Sequence, residues 1–201
     1  MNDVTAKTRY HHGDLRQQLI TATRALVEEK GPDGFSVSEA CRAAGVSTAA
    51  PYKHFQDRTE ILQAVAMEGF GEMTEAFHLA LKDKPEGSLA AIAAIGIAYV
   101  RFAEANPEVF RMMFAFKDKT EAMEASGMGC YGVLLGQIAA YLGQDEIDEA
   151  VLALGFPLWT FVHGLSFLSI DGKCETGKAV LTMEEMVVEA TRRLLSEARP
   201  A

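Results

Sequence analysis

The chain has 201 residues, 49% of them hydrophobic, which is enough for one large core or two smaller ones and excludes a disordered protein. Its formal charge of −9 is unevenly placed: residues 1–64 hold eight Lys/Arg and eight Asp/Glu, whereas residues 65–201 hold 11 and 20. The acidic total therefore does not exclude a nucleic-acid partner, because binding follows the local field rather than the sum. Cys41, Cys130 and Cys174 are widely separated, so neither a disulfide framework nor a zinc ribbon is expected, and reduced thiols fit a cytoplasmic protein. No uninterrupted apolar run reaches the length of a membrane span and the first residues lack an apolar signal core, so no membrane partner is expected.

In chain order, the first predicted helix is DLRQQLITATRALVEEKG, with Leu15, Leu19, Ala22 and Leu26 on one face. SVSEACRAAGVSTAAPYKHF, from Ser36 to Phe55, then reads as two short helices meeting at Gly45. Ser36 and Glu39 have capping-box spacing, and Val37, Ala40, Cys41 and Ala44 share an apolar face. Gly45 suits a left-handed position, Ser47 or Thr48 can cap the second helix, and Pro51 falls in its first turn. That second helix presents Thr48, Tyr52, Lys53 and His54, which can donate to phosphates or base edges, and Phe55 turns back to the core. Such a hairpin places one helix in a DNA major groove.

A fourth helix is predicted from Asp57 to Leu81, with Gly69 and Gly71 as a soft place within it. A fifth covers Ser88–Asn106, Pro107 opens a short sixth, and a seventh runs from Thr120 to Tyr141 with four glycines suited to tight helix contact or a kink. In the last two helices Ile147, Val151, Leu154, Leu158, Phe161, Leu165 and Leu168, then Met183, Val187, Ala190 and Leu194, alternate steps of four and three, the pattern of a bundle seam. The fold class is therefore all-α with about nine helices, divided into an arm and helix-turn-helix domain at 1–56 and a helical domain at 57–201.

Residues 10–64, and SVSEACRAAGVSTAAPYKHFQDRTEIL above all, resemble the N-terminal domain of the tetracycline-repressor (TetR) family. That resemblance implies DNA-backbone contacts from Ser36, Tyr52, His54 and Arg58, and base-edge approach by Ser47, Thr48, Ala49 and Lys53. Arg42, Lys53 and Arg58 must then share one face, with Lys7 and Arg9 on the arm. The chain departs from the family pattern at Ala40, Cys41, Ala49 and Pro51. Alanines can touch thymine methyls but cannot hydrogen-bond a base, so Thr48 and Lys53 are the candidates for direct readout.

The resemblance also implies a homodimer formed through the last two helices, with Val151, Leu154, Leu158, Phe161, Leu165, Val187, Ala190 and Leu194 at the interface. On the residues alone, the same seam could also be buried within one chain. Within LWTFVHGLSFL, Trp159, His163 and Gly164 have the spacing of a TetR C-terminal subgroup named for Trp, His and Gly; ligand contact and core packing both remain open for the pair. Tyr99, Arg101, Phe102, Met113, Tyr131, Trp159 and His163 are the candidate ligand-binding residues of a pliable apolar pocket.

No catalytic constellation, phosphate loop or metal-ligand spacing occurs: DEIDE suits a helix start, and the adjacent His11 and His12 beside Asp14 point in different directions. The expectation is a non-enzymatic regulator without cofactor, most simply a repressor that leaves a palindromic double-stranded operator when a small apolar or amphipathic effector binds. A helical carrier or enzyme, and a DNA-binding regulator that answers to no ligand, are the competing readings.

Overall fold

The computed structural model describes residues 12–174 and 180–196; the basic arm with Lys7, Arg9 and His11 lies outside the described residues. All regular structure described is helical: α1 (His12–Lys30), α2 (Val37–Ala43), a 3-10 turn (Pro51–Lys53), α3 (Arg58–Leu81), α4 (Leu89–Ala105), α5 (Pro107–Ala115), α6 (Glu121–Leu142), α7 (Glu149–Ile170) and α8 (Met183–Ser196). Eight α-helices stand where about nine are predicted, because the second element of the hairpin is only the 3-10 turn.

The chain forms two compact units that divide between Val65 and Ala66, within α3, rather than at residue 56. The first turns of α3 belong to the first core, since Ile61, Leu62, Ala64 and Val65 are buried there. The stripe that α1 buries is Leu15, Leu19, Ile20, Thr23 and Val27, while Ala22 and Leu26 lie at its margin. The apolar face is thus turned by one residue from the predicted one.

In the second unit α4 is the central helix, with nine of its 17 residues buried. Ser88 caps it, accepting a hydrogen bond from the Ala91 amide at 3.0 Å. Thr120 and Asp148 cap α6 and α7 in the same way, so DEIDE leads into α7 rather than lying inside it, and Ile147 stays outside the helix. The α7 helix continues past Pro157 to Ile170. It is also long and apolar enough to cross a membrane by length and composition, with mean hydropathy 1.6 over its best window. Its polar residues Thr160, His163 and Ser166 interrupt the apolar run without adding a charge, so the average stays high.

The glycines that allow close packing are mostly not those singled out in sequence. A Cβ on Gly96 of α4 would lie 2.7 Å from Val187 Cγ1 and 3.1 Å from Val162 Cγ1, and one on Gly155 of α7 would lie 2.4 Å from Leu135 Cδ2. Around Gly129, Gly132, Gly136 and Gly164 no such atom comes within 4 Å, and Gly127 makes only ordinary contact with the Phe70 ring. Gly69 and Gly71 differ in kind: the first faces Met113 Sδ at 2.7 Å and Val109 Cγ1 at 3.1 Å, whereas the second is exposed with open space around it. Gly71→Ala should therefore raise the unfolding free energy by about 1 kcal/mol in urea titrations, through helix propensity alone. Gly69→Ala should show no such gain, because its methyl group must displace Met113.

Candidate functional site

The hairpin of the first unit is closed by local chemistry. Ser36 Oγ accepts from the Glu39 amide at 3.2 Å, and a Glu39 carboxylate oxygen accepts from the Ser36 amide at 2.8 Å, which is the expected capping box. Lys30 Nζ donates to the same carboxylate at 2.9 Å; this bond first, then those from Ser36, lowers the Glu39 carboxyl to about 2. At the far end of α2, Gly45 takes φ +68°, the Gly45 amide bonds to the Arg42 carbonyl, and the Val46 amide reaches the Cys41 carbonyl at 2.9 Å. That pair of bonds is a Schellman closure, which needs a residue without a Cβ penalty at Gly45.

The recognition segment is tighter than predicted. An α-helix capped at Ser47 would draw its first i→i−4 bond from residue 51, and Pro51 has no N–H to give. The chain instead uses i→i+3 spacing, from the Ala50 amide to the Ser47 carbonyl at 3.0 Å and from the His54 amide to the Pro51 carbonyl at 2.8 Å. Pro51 is buried, while Ser47, Thr48, Ala49, Tyr52 and Lys53 stand in solvent, Tyr52 at 65% exposure.

Three of the predicted backbone contacts are already engaged or hidden. The Arg58 guanidinium donates to the Pro32 carbonyl and lies over the Phe35 ring, 4.6 Å from its centroid, so it fastens the turn between α1 and α2. His54 is half-buried and its Nε2 is enclosed without a hydrogen-bond partner among the described residues, so that atom cannot reach a phosphate as the side chain stands. The Ser36 hydroxyl is spent in the capping box. Arg42, by contrast, is exposed.

The second unit contains a cavity of about 500 Å³ walled by α3, α4, α5, α6, α7 and α8. Its lining includes Tyr99, Tyr131 and Trp159 of the predicted set, and also Phe70, Phe77 and Cys130, which sequence reasoning treated as core or left aside. Arg101, Phe102, Met113 and His163 do not line it. Helix phase explains the first of these: Arg101 points outward and pairs with Glu184 at 3.0 Å. Phe102 and Met113 are buried in packing elsewhere in the unit.

His163 sits one layer behind the wall. Its Nδ1 is 2.8 Å from the Tyr99 hydroxyl, and Trp159 Nε1 donates to the same oxygen at 3.3 Å. With Trp159 donating inward, the Tyr99 O–H is free to donate to Nδ1, which places the His163 proton on Nε2. The imidazole touches Trp159 at 5.2 Å between centroids and is enclosed by Phe110, Phe114 and Phe167. Burial raises the Tyr99 phenol, holds the His163 imidazole below its usual value, and pushes the Cys130 thiol up to about 11. The cavity wall thus carries neutral groups. Its charged residues, Lys119 and Glu124, are both exposed.

The predicted seam is occupied within the chain. Val151, Leu158, Leu165 and Val187 are buried; Leu154, Phe161 and Ala190 are half-buried, and Leu194 is partly exposed. The apolar side chains in solvent are Leu152 and Phe156, off the predicted seam, Leu168 at its end, and Val188 on α8, with Phe156 at 60% exposure. The signal that could have found them is the uncharged run from Ala150 to Ile170: a helix without a charged face has a second apolar face.

A family model described as bacterial regulatory proteins, tetR family, matches residues 19–65, and one described as tetracyclin repressor-like, C-terminal domain, matches residues 92–194. The chain belongs to the TetR family. A curated relative, the HTH-type transcriptional regulator BetI of Serratia proteamaculans (strain 568), is 37% identical over 147 residues, covering 69% of this chain and 74% of that protein. Among solved structures, a protein of unknown function from Rhodococcus sp. RHA1 superimposes with TM-score 0.78 at 28% identity over 95% of this chain and 98% of that one. The transcriptional regulator FadR from Bacillus subtilis, in complex with stearoyl-CoA, shares the fold at TM-score 0.61 and 16% identity over 90% and 96% of the two chains. This TetR-family chain is a DNA-binding transcriptional regulator.

The enclosed imidazole carries a pH signature. With the folded-state pKa of His163 below 6.5, the unfolded chain takes up the proton first, so this stability is complete above pH 6.5 and is lost as pH falls toward the folded value. Thermal melts at pH 7.5 and 5.5 should show a loss that is smaller in His163→Asn, which keeps an acceptor for Tyr99. An equal loss in both proteins would contradict the assignment.

Proposed function

We propose that the protein is a repressor that binds a palindromic operator as a homodimer and leaves it when a small apolar or amphipathic molecule enters the cavity of the second unit. The observation that carries this reading is the exposure of Thr48, Tyr52 and Lys53 on a turn whose own backbone bonds are closed, so their polar groups are free for DNA. Tyr52 meets phosphate, and Thr48 and Lys53 approach base edges beside Ser47 and Ala49. Arg42 adds charge from α2, while Ser36 and Arg58 hold the hairpin together and act on DNA only through its shape, and the enclosed His54 Nε2 makes no phosphate contact.

The dimer forms on the outer face of α7, where Ala153, Thr160 and Gly164 lie between the exposed Leu152, Phe156 and Leu168. The absence of any atom near a Cβ on Gly164 within its own chain leaves room for a second copy. A two-fold axis there would present two hairpins to half-sites one DNA turn apart, about 34–36 Å. The effector acts by differential affinity for two states of the protein, since equal affinity for both would release nothing. In support, the cavity is enclosed by helices from every part of the second unit, and a fold neighbour holds stearoyl-CoA.

Gel shifts on the DNA upstream of the gene test the reading. Tyr52→Ala should weaken binding to all sequences and reduce the salt slope by about 1, whereas Lys53→Ala should relax preference at one base pair by about 1–3 kcal/mol. Unaltered binding in both variants would remove the recognition-turn assignment. Ala153→Glu places a charge on an exposed position of one chain but in the middle of the dimer face. In light scattering it should run as a monomer with undiminished helix content, and its operator affinity should fall.

A further inference from the structure

We propose that the cavity selects an uncharged, flat, largely apolar molecule bearing one hydrogen-bond acceptor, and that the Tyr131 hydroxyl takes that acceptor. This rests on the cavity being the effector site. It concerns which chemistry that site admits.

Shape follows from the rings. Phe77 and Tyr99 are nearly parallel, 24° apart with centroids at 6.3 Å, and Tyr131 leans on Trp159 at 6.0 Å, so aromatic faces from α3, α4, α6 and α7 bound the space. Faces of this kind favour a planar guest over a branched one. A volume of about 500 Å³ suits a fused-ring skeleton with a short substituent.

Charge follows from what the wall lacks. Lys119 and Glu124 are the charged lining residues; both are exposed and they are opposite in sign, so neither ion of a ligand finds a buried counter-charge. An ammonium entering the cavity would gain attraction from ring faces, but less than it loses by shedding water, and a carboxylate would gain still less. A neutral molecule avoids both losses.

Polarity follows from which groups are committed. The Tyr99 hydroxyl is held between His163 and Trp159, and Cys130 is engaged with Thr74. The Tyr131 hydroxyl has no hydrogen-bond partner among the described residues, and burial alone raises its phenol. Gly155 lets α7 pack closely against the Tyr131 and Leu135 side chains, and Tyr131 itself lines the cavity. An unmet donor in an apolar wall binds a carbonyl or ether oxygen at little desolvation cost.

Isothermal titration of the full chain with four probes on one naphthalene ring tests this: 2-acetylnaphthalene, 2-ethylnaphthalene, 2-naphthoate and 2-naphthylmethyl-trimethylammonium. The ketone should bind at least about tenfold more tightly than either ion. Tyr131→Phe should weaken the ketone by about five- to tenfold while leaving 2-ethylnaphthalene within about twofold. An ion that matches the ketone, absence of ketone binding, or a Tyr131→Phe variant that leaves the ketone unchanged or weakens both neutral probes equally overturns the proposal. Operator binding by the same protein is read separately. Intact operator binding with any of these results sinks the ligand assignment alone, whereas lost operator binding with the expected titrations sinks only the regulatory reading.

Discussion

Gly96 is the point on which the second unit depends. Its bare Cα lets α4 meet Val162 of α7 and Val187 of α8 at distances that no side chain would permit. A methyl group there would have to push two helices outward, and close-packed interiors do not absorb such a displacement locally. Because α4 is buried along most of its length, its register is then fixed, and Tyr99 lies three residues on, almost one turn, among Phe77, Phe110 and His163. The polar centre of the cavity and the outer face of α7 are thus set by a single close crossing.

The first unit is organised differently, by hydrogen bonds between near neighbours in sequence. The capping box and the Schellman closure fix α2 from both ends with backbone and short side chains, and only Ala40 and Cys41 of that helix are buried. Arg58 and Arg16 then lie over the Phe35 and Phe55 rings, joining distant segments by guanidinium stacking rather than by greater apolar area. So small a unit gains much from such contacts. It also explains how a family position associated with DNA can help hold the protein together: the same planar cation suits a carbonyl and a ring as well as a phosphate.

Features set by short-range chemistry were legible in the sequence. Ser36 with Glu39, Gly45, and the helix starts at Ser88, Pro107 and Thr120 each depend on one or two neighbours, and the structure has them. The 3-10 turn follows from Pro51 once its position relative to Ser47 is counted. What the sequence could not apportion was the partner of each apolar stripe. The four–three spacing in α7 is genuine, yet the chain's own helices take most of that stripe, while Leu168 at its end and Leu152 and Phe156 off it are left in solvent. Arg101 and Met113 illustrate the same limit, since composition nominates residues for a cavity but only helix rotation decides which of them face it. His163 shows a third case, a group that shapes the wall through Tyr99 without lining it.

Trp159 is the only tryptophan in the chain. It lies in the cavity wall, with its indole N–H on the Tyr99 hydroxyl and its ring against Tyr131 and His163. In optical terms, ultraviolet emission from the whole molecule therefore originates from one address. Emission excited beyond the tyrosine band carries no contribution from the hairpin, so a spectrum of the intact regulator is a spectrum of its cavity.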